Sequence, residues 1–179
     1  MQRGIYVKKL IDNYCVLDIE TTGLSYQNDK IIEIGIIKIR NNQIVDRYSQ
    51  LINPKCQISH FITQLTGISN EMIKDQPTLD MIYDDVFSFI GDDIIIGHNT
   101  SFDLNFISYQ FQINIHNEYM DTLQFSRKVF PQLKHHRLTD MVKYLNLTNN
   151  EHRALADCIA TYELYEKCKH EIKKQKIFL

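Results

Sequence analysis

No tryptophan occurs in this chain, and only three prolines and six glycines punctuate its 179 residues. There is no low-complexity tract, no internal repeat and no Pro/Gly-rich linker, which excludes an array or a tethered pair of domains. The four cysteines, at positions 15, 56, 158 and 168, form no C-x-x-C pair and have no histidine at finger spacing. Cys15 and Cys158 lie inside apolar runs, as small core residues do, and the pattern suits a reducing compartment rather than a disulfide framework. No apolar run approaches the ~18 residues of a membrane span, and MQRGIYVKKLIDNY has no apolar signal-peptide core. The expected location is the cytoplasm, with no membrane partner. Net charge is scarce too: 20 basic against 22 acidic side chains leave −2. That argues against coating nucleic acid by bulk attraction. Basic residues nevertheless gather at Lys128, Lys134–Arg137 and Lys167–Lys176. The last group reads as the solvated end of a helix, and Lys134–Arg137 as a candidate steering surface.

What is present is a 44% apolar composition rich in isoleucine, with all the aromatic content in Tyr and Phe. It suits one sheet-containing domain spanning residues 1–179. Tyr14–Glu20, Ile31–Ile39 and Ile44–Leu51 read as three strands, the last two joined by a tight turn at Asn41-Asn42, so an antiparallel meander is expected. Gly35 marks close packing or a bulge in the second strand. Thereafter short strands at Ile94–Ile96 and Glu118–Asp121 alternate with helices. These are expected near Asn70–Lys74, Thr78–Ile90, Phe102–Gln112, Thr122–Val129, Leu138–Leu147 and Glu151–Lys174. The architecture that follows is a mixed five-stranded α/β sheet, its first three strands antiparallel, with helices on both faces.

Four acids each sit beside one of these apolar elements. Asp18 and Glu20 are i and i+2 on the first strand, so they leave the same face. Two acids closing an apolar strand are costly unless they serve something, the plain alternative being a strand that frays into a polar loop. Asp103 opens a helix after IIIGHNTSF, where an acid also commonly caps a first turn. Asp157 lies five residues after His152, about 140° apart on a continuous helix. The pair can cooperate only if His152 sits at the very start of the helix or in the loop before it, with Asn149, Asn150 and Glu151 leading in. Like charges ~4 Å apart cost roughly 4 kcal/mol at an effective dielectric of ~20. Divalent cations are the simplest remedy, and a pair of them is suited to phosphoryl chemistry. Oxygen donors favour Mg²⁺ or Mn²⁺, and His152 is suited to accept a proton. Thr21 can bond a substrate hydroxyl or phosphate, whereas His98 and Asn99 organise their loop or touch sugar and phosphate.

Together VLDIETTGL, IGHNTSFDLNF and EHRALADC resemble the three motifs of the DEDDh 3′-to-5′ exonucleases of the DnaQ group, which includes PolC exonuclease domains. INPKCQISHFITQLTGI and MDTLQFSRKVFP extend the resemblance over nearly the whole chain. The position four before the last Asp is Arg153, not the Tyr of the sister subclass. The resemblance implies a ribonuclease H-like fold, metal ligands at Asp18, Glu20, Asp103 and Asp157, a general base at His152, and two divalent cations. It also implies contacts to the terminal nucleotide from Thr21, Leu24, His98, Asn99 and Phe102. The expected substrate is a single-stranded or frayed 3′ end of DNA, cut to nucleoside 5′-monophosphates beside a polymerase or helicase partner. The alternatives are an exoribonuclease or oligoribonuclease-like enzyme, a non-catalytic nucleic-acid-binding module, and an endonuclease on the same fold.

Overall fold

The computed structural model describes residues 4–148 and 152–175. Three long strands, β1 (Tyr14–Thr21), β2 (Ile31–Arg40) and β3 (Gln43–Leu51), form the expected antiparallel meander. Asn41 and Asn42 both take positive φ, 51° and 61°, which a two-residue hairpin turn requires. β1 and β2 are buried along most of their length and β3 is the exposed edge. That contrast separates the isoleucine-rich middle strand from its polar neighbour.

Two short strands complete the sheet. β4 (Ile95–Gly97) pairs parallel with β1, and β5 (Tyr119–Asp121) pairs parallel with β4, giving the order β3-β2-β1-β4-β5. The N-terminal segment adds a parallel bridge from Tyr6 to Tyr119 beyond β5.

Helices cover both faces. Above one lie α5 (Thr122–Val129), α6 (Leu138–Leu145) and the long α7 (Ala154–Gln175), packing Phe125, Met141, Leu164 and Tyr165 over Val16, Ile37 and Ile96. Against the other lie α3 (Tyr83–Ile90) and α4 (Thr100–Gln110), packing Val86, Leu104 and Ile107 against Leu17, Ile34 and Ile36. Two further short helices, α1 (His60–Thr66) and α2 (Asn70–Ile73), enclose a small cluster of Ile58, Ile62, Ile68 and Ile73 on Ile32.

Three departures from the sequence reading are local. α1 was not anticipated, although Ser59 caps its start through Ile62 N–H and Gly67 ends it at φ 70°. The single helix expected over Thr78–Ile90 is a 3₁₀ turn at Leu79–Ile82 followed by α3, because Ile82 leaves helical geometry at φ −104°, ψ 8°. Lys169, grouped with the solvated lysines, is instead buried: its ammonium reaches Ile11 O, Asn42 Oδ1 and Glu166, and lies 4.9 Å from the centre of the Tyr165 ring. Lys176 and the leaders Asn149, Asn150 and Glu151 lie outside the described residues.

All four cysteines are free, and Cys15, Cys158 and Cys168 are buried. Among the described residues no helix is long and apolar enough to cross a membrane.

Candidate active site

β1, β4 and β5 run parallel, so their C-terminal ends share one edge of the sheet. Such an edge is where open α/β sheets collect ligand-binding groups. Asp18 and Glu20 leave β1 here on the face covered by α7. Across β2 they lie opposite Gly35 and Glu33.

Gly35 explains how α7 reaches them. A Cβ at this position would stand 2.5 Å from the Ala154 carbonyl carbon and 2.6 Å from Leu155 N. Only glycine lets the first turn of α7 rest directly on the strand. Cys158 Sγ follows, 3.2 Å from Gly35 O. The expectation of close packing at Gly35 is met, and its consequence is that Asp157 is delivered beside Asp18.

His152 sits before α7 rather than within it. Its φ is 49°, and the first helical bond at this end runs from Asp157 N–H to Arg153 O at 3.0 Å. The left-handed kink removes the 140° conflict that a continuous helix would impose. Ligand atoms of Glu20, His152 and Asp157 consequently lie within 4.8 Å of one another. Asp103 enters from the first turn of α4, where its Oδ1 accepts a 3.2 Å hydrogen bond from Ile19 N–H, the residue between Asp18 and Glu20.

A buried clamp that the sequence reading missed holds the His152 loop. Glu33, 1% exposed, accepts from Arg153 through both carboxylate oxygens, with Nη2 to Oε1 at 2.7 Å and Nε to Oε2 at 3.1 Å. Its Oε2 also accepts from Ala154 N–H at 3.0 Å. Arg153 and Ala154 directly follow His152, so the clamp fixes the turn from which the imidazole projects. The available signal was Glu33 itself, an acid inside the apolar run IIEIGII. Such a residue must find a partner.

The electrostatics are those of a crowded acidic pocket. Burial and then the charges of Asp103, Asp157 and Glu20 push the Asp18 carboxyl well above the ordinary carboxylate range. Burial first, with Asp157 and Glu33 next, raises Glu20 to about 8. Burial raises Asp103 to about 8, against the opposing hydrogen bonds from backbone N–H groups. Asp157 is raised to about 7 by burial and by Glu33. Its Oδ1 is buried without a hydrogen-bond partner, which a buried acceptor rarely tolerates. Hard oxygen donors that repel one another and an orphaned carboxylate oxygen fit a divalent cation.

The remaining candidate residues lie at the end of β1, in the loops after β1 and β4 and at the start of α4. Thr21 is buried and donates from Oγ1 to Gly23 O at 2.6 Å. Gly23 makes room for the Asp29 carboxylate, 2.6 Å from where its Cβ would be, and Asp29 accepts from Ser25 N–H. Leu24, at the tip of that loop, is 86% exposed. Phe102 stacks on Phe106 with ring centres 4.9 Å apart. Asn99 is exposed at φ 71°, its N–H held by Asp121 Oδ1 at 2.9 Å. His98 has both ring nitrogens engaged: Nδ1 lies 3.0 Å from Thr122 Oγ1 and Nε2 2.8 Å from His136 O. Because a carbonyl only accepts, Nε2 carries the proton, and burial lowers the pKa of the ring. His98 thereby pins its loop to the segment before α6.

A model of the RNase T-type family described as "Exonuclease" matches residues 15–165. The chain belongs to the exonuclease family. Among curated relatives, the PolC-type DNA polymerase III of Clostridium perfringens (strain 13 / Type A) is 40% identical over 169 residues, 92% of this chain. The chain spans only 12% of that polymerase's length. Among solved structures, Escherichia coli Exonuclease I with a dT13 oligonucleotide superposes with a TM-score of 0.78 at 17% identity, over 93% of this chain and 43% of that one. The nuclease domain of 3′hExo, a DEDDh family member bound to rAMP, gives 0.75 at 18% identity, over 89% and 92% of the two chains. The chain is similar in sequence to part of PolC-type DNA polymerase III and has the mixed five-stranded, ribonuclease H-like α/β fold expected.

Proposed function

We propose that residues 1–179 form one catalytic domain that removes nucleotides from the 3′ end of DNA as nucleoside 5′-monophosphates. The observation that carries this reading is the meeting of Glu20, His152 and Asp157 within 4.8 Å, beside Asp18 and Asp103. Two divalent cations, Mg²⁺ or Mn²⁺, suit the donor set. When bound, they would neutralise the carboxylates and polarise the scissile phosphodiester.

Asp18, Glu20 and Asp157 would hold one ion, and Asp18 with Asp103 the other. His152, on its left-handed turn, would accept the proton of the attacking water. The Glu33–Arg153 clamp keeps that ring from swinging away. Thr21, Leu24, Asn99 and Phe102 would receive the terminal nucleotide, with His98 setting the loop that carries Asn99.

DNA is favoured as substrate because the relative with 40% identity over most of the chain is a DNA polymerase. Single-stranded or frayed 3′ ends are the form such a pocket admits, with a polymerase or helicase as the partner exposing them, in proofreading or repair in the cytoplasm. The alternative, RNA, is motivated by the rAMP in 3′hExo.

Matched 5′-labelled DNA and RNA oligomers and a covalently closed single-stranded circle, each with Mn²⁺, test the proposal. Stepwise shortening of linear DNA, slower loss of RNA and an intact circle are expected. Nicking of the circle would instead support an endonuclease.

A further inference from the structure

The basic segment before α6 is folded against the active-site edge, not left as a loose charged loop. His98 Nε2 donates to His136 O, and the His136 ring reaches Phe130 O at 3.0 Å. These two contacts hold Lys134–Arg137 over the C-terminal ends of β4 and β5. The result is a cavity of about 350 Å³ walled by Arg127, Lys134, His135 and Arg137, with His98 and Asn99 on the side nearest α4.

Three features suit this cavity to an anion. No Asp or Glu lines it. Among the described residues Arg127, Lys134 and Arg137 make no ion pair, and unlike other unpaired cations such as Arg47 and Lys143 these three line one cavity together. Uncompensated cations therefore stand next to the acidic pocket of a protein whose overall charge is −2. The eight-residue α6 also begins here, with Arg137 at its N-cap and Leu138 on the cavity wall.

Position limits what the anion is. β4 adjoins β1, and neighbouring strands are about 4.8 Å apart, so the cavity starts roughly 5–10 Å from the acids on β1. A group bound there cannot be the phosphodiester being cut. It can be the next part of the same strand.

We propose that Arg127, Lys134 and Arg137 form a subsite for the backbone phosphates of the nucleic-acid strand lying 5′ of the terminal nucleotide. This inference rests on the exonuclease reading and deepens it. Binding here is sequence-independent and anchors the strand while its end turns into the acidic pocket.

The test compares two substrates in Mn²⁺: a 5′-labelled single-stranded DNA 12-mer, and thymidine 5′-monophosphate p-nitrophenyl ester, which has a scissile phosphodiester but no upstream strand. For the triple variant Arg127→Gln/Lys134→Gln/Arg137→Gln, KM for the 12-mer should rise at least tenfold while ester turnover stays within twofold of wild type. The slope of log affinity against log salt should flatten by about 2, since each single-strand phosphate contact contributes roughly 0.7. An unchanged 12-mer KM and slope would overturn the subsite. So would equal losses on both substrates, which would place these cations in folding or chemistry. Wild-type protein inert toward both substrates would overturn the exonuclease reading and the subsite with it.

Discussion

Glu33→Gln isolates the clamp beneath the catalytic turn. The replacement keeps volume but turns one acceptor oxygen into a donor facing Arg153 or Ala154 N–H, and it removes the charge of a residue that is 1% exposed. Hydrogen bonds to charged groups contribute about 1.5–3 kcal/mol each, and breaking a fully buried pair costs about 3–5 kcal/mol. Arg153 retains 39% of its side-chain exposure, so water can recover part of that loss. A net cost of about 2 kcal/mol follows, or roughly 4–8 °C in Tm for a domain of this size. The larger effect should fall on turnover, because displacing a catalytic group by about 1 Å can cost on the order of 100-fold. Single-turnover hydrolysis of a labelled oligomer should slow by about 10–100-fold, alongside a shifted guanidinium unfolding midpoint. Arg153→Lys, which keeps the charge but loses the fork, should show the same pattern more weakly. Full turnover in Glu33→Gln, whatever its stability, would refute the claim that the clamp positions His152.

Three further outcomes follow from the same structure. The carboxyls of Glu20, Asp103 and Asp157 sit near 7–8 in the folded chain, against about 4 when unfolded, so the folded state holds the extra protons in between. Stability of the metal-free protein should therefore fall as pH rises from about 4 to 8, and Mn²⁺ should raise Tm more at pH 8 than at pH 5 in a thermal scan; equal shifts would contradict the repulsion argument. Gly35→Ala should push α7 off β2 and cut activity at least tenfold with a loss of about 1–3 kcal/mol, measured by denaturant unfolding and turnover. Lys169→Met should cost about 1–3 kcal/mol in the same unfolding assay by removing the donor to the Ile11 carbonyl and Asn42 Oδ1, yet leave the kcat of the folded fraction unchanged.

The strands were legible because their isoleucine runs are long and their turns carry Asn-Asn. The mixed character of the sheet followed from the change in pattern after Leu51. Each carboxylate drew attention because it sits beside an apolar element, and the five-residue gap between His152 and Asp157 required His152 to stand at the start of the helix or before it, which is where it lies, ahead of α7. What escaped were features fixed by partners distant in sequence. Glu33 and Arg153 are 120 positions apart, so the acid inside IIEIGII announces a buried partner without naming it. Lys169 lies in a run of lysines, and only the approach of Tyr14, Asn42 and Tyr165 turns it inward. α1 has seven residues, too few for a periodic signal, and only the Ser59 and Gly67 caps announce it. Of the two roles open to His98, organiser of its loop or contact to sugar and phosphate, a ring occupied by Thr122 and His136 fits the first, and only the identity of those partners depended on how the loop before α6 folds back.

The central claim is that the acids of β1, α4 and α7 act together through bound divalent cations. Manganese titration followed by electron paramagnetic resonance, run on wild type and Asp18→Asn with hydrolysis of a linear DNA oligomer measured in the same samples, tests it most directly. The account predicts two Mn²⁺ per wild-type chain, with binding and turnover lost together in the variant while its circular dichroism stays native. Equal Mn²⁺ uptake and equal turnover in the two proteins would contradict it.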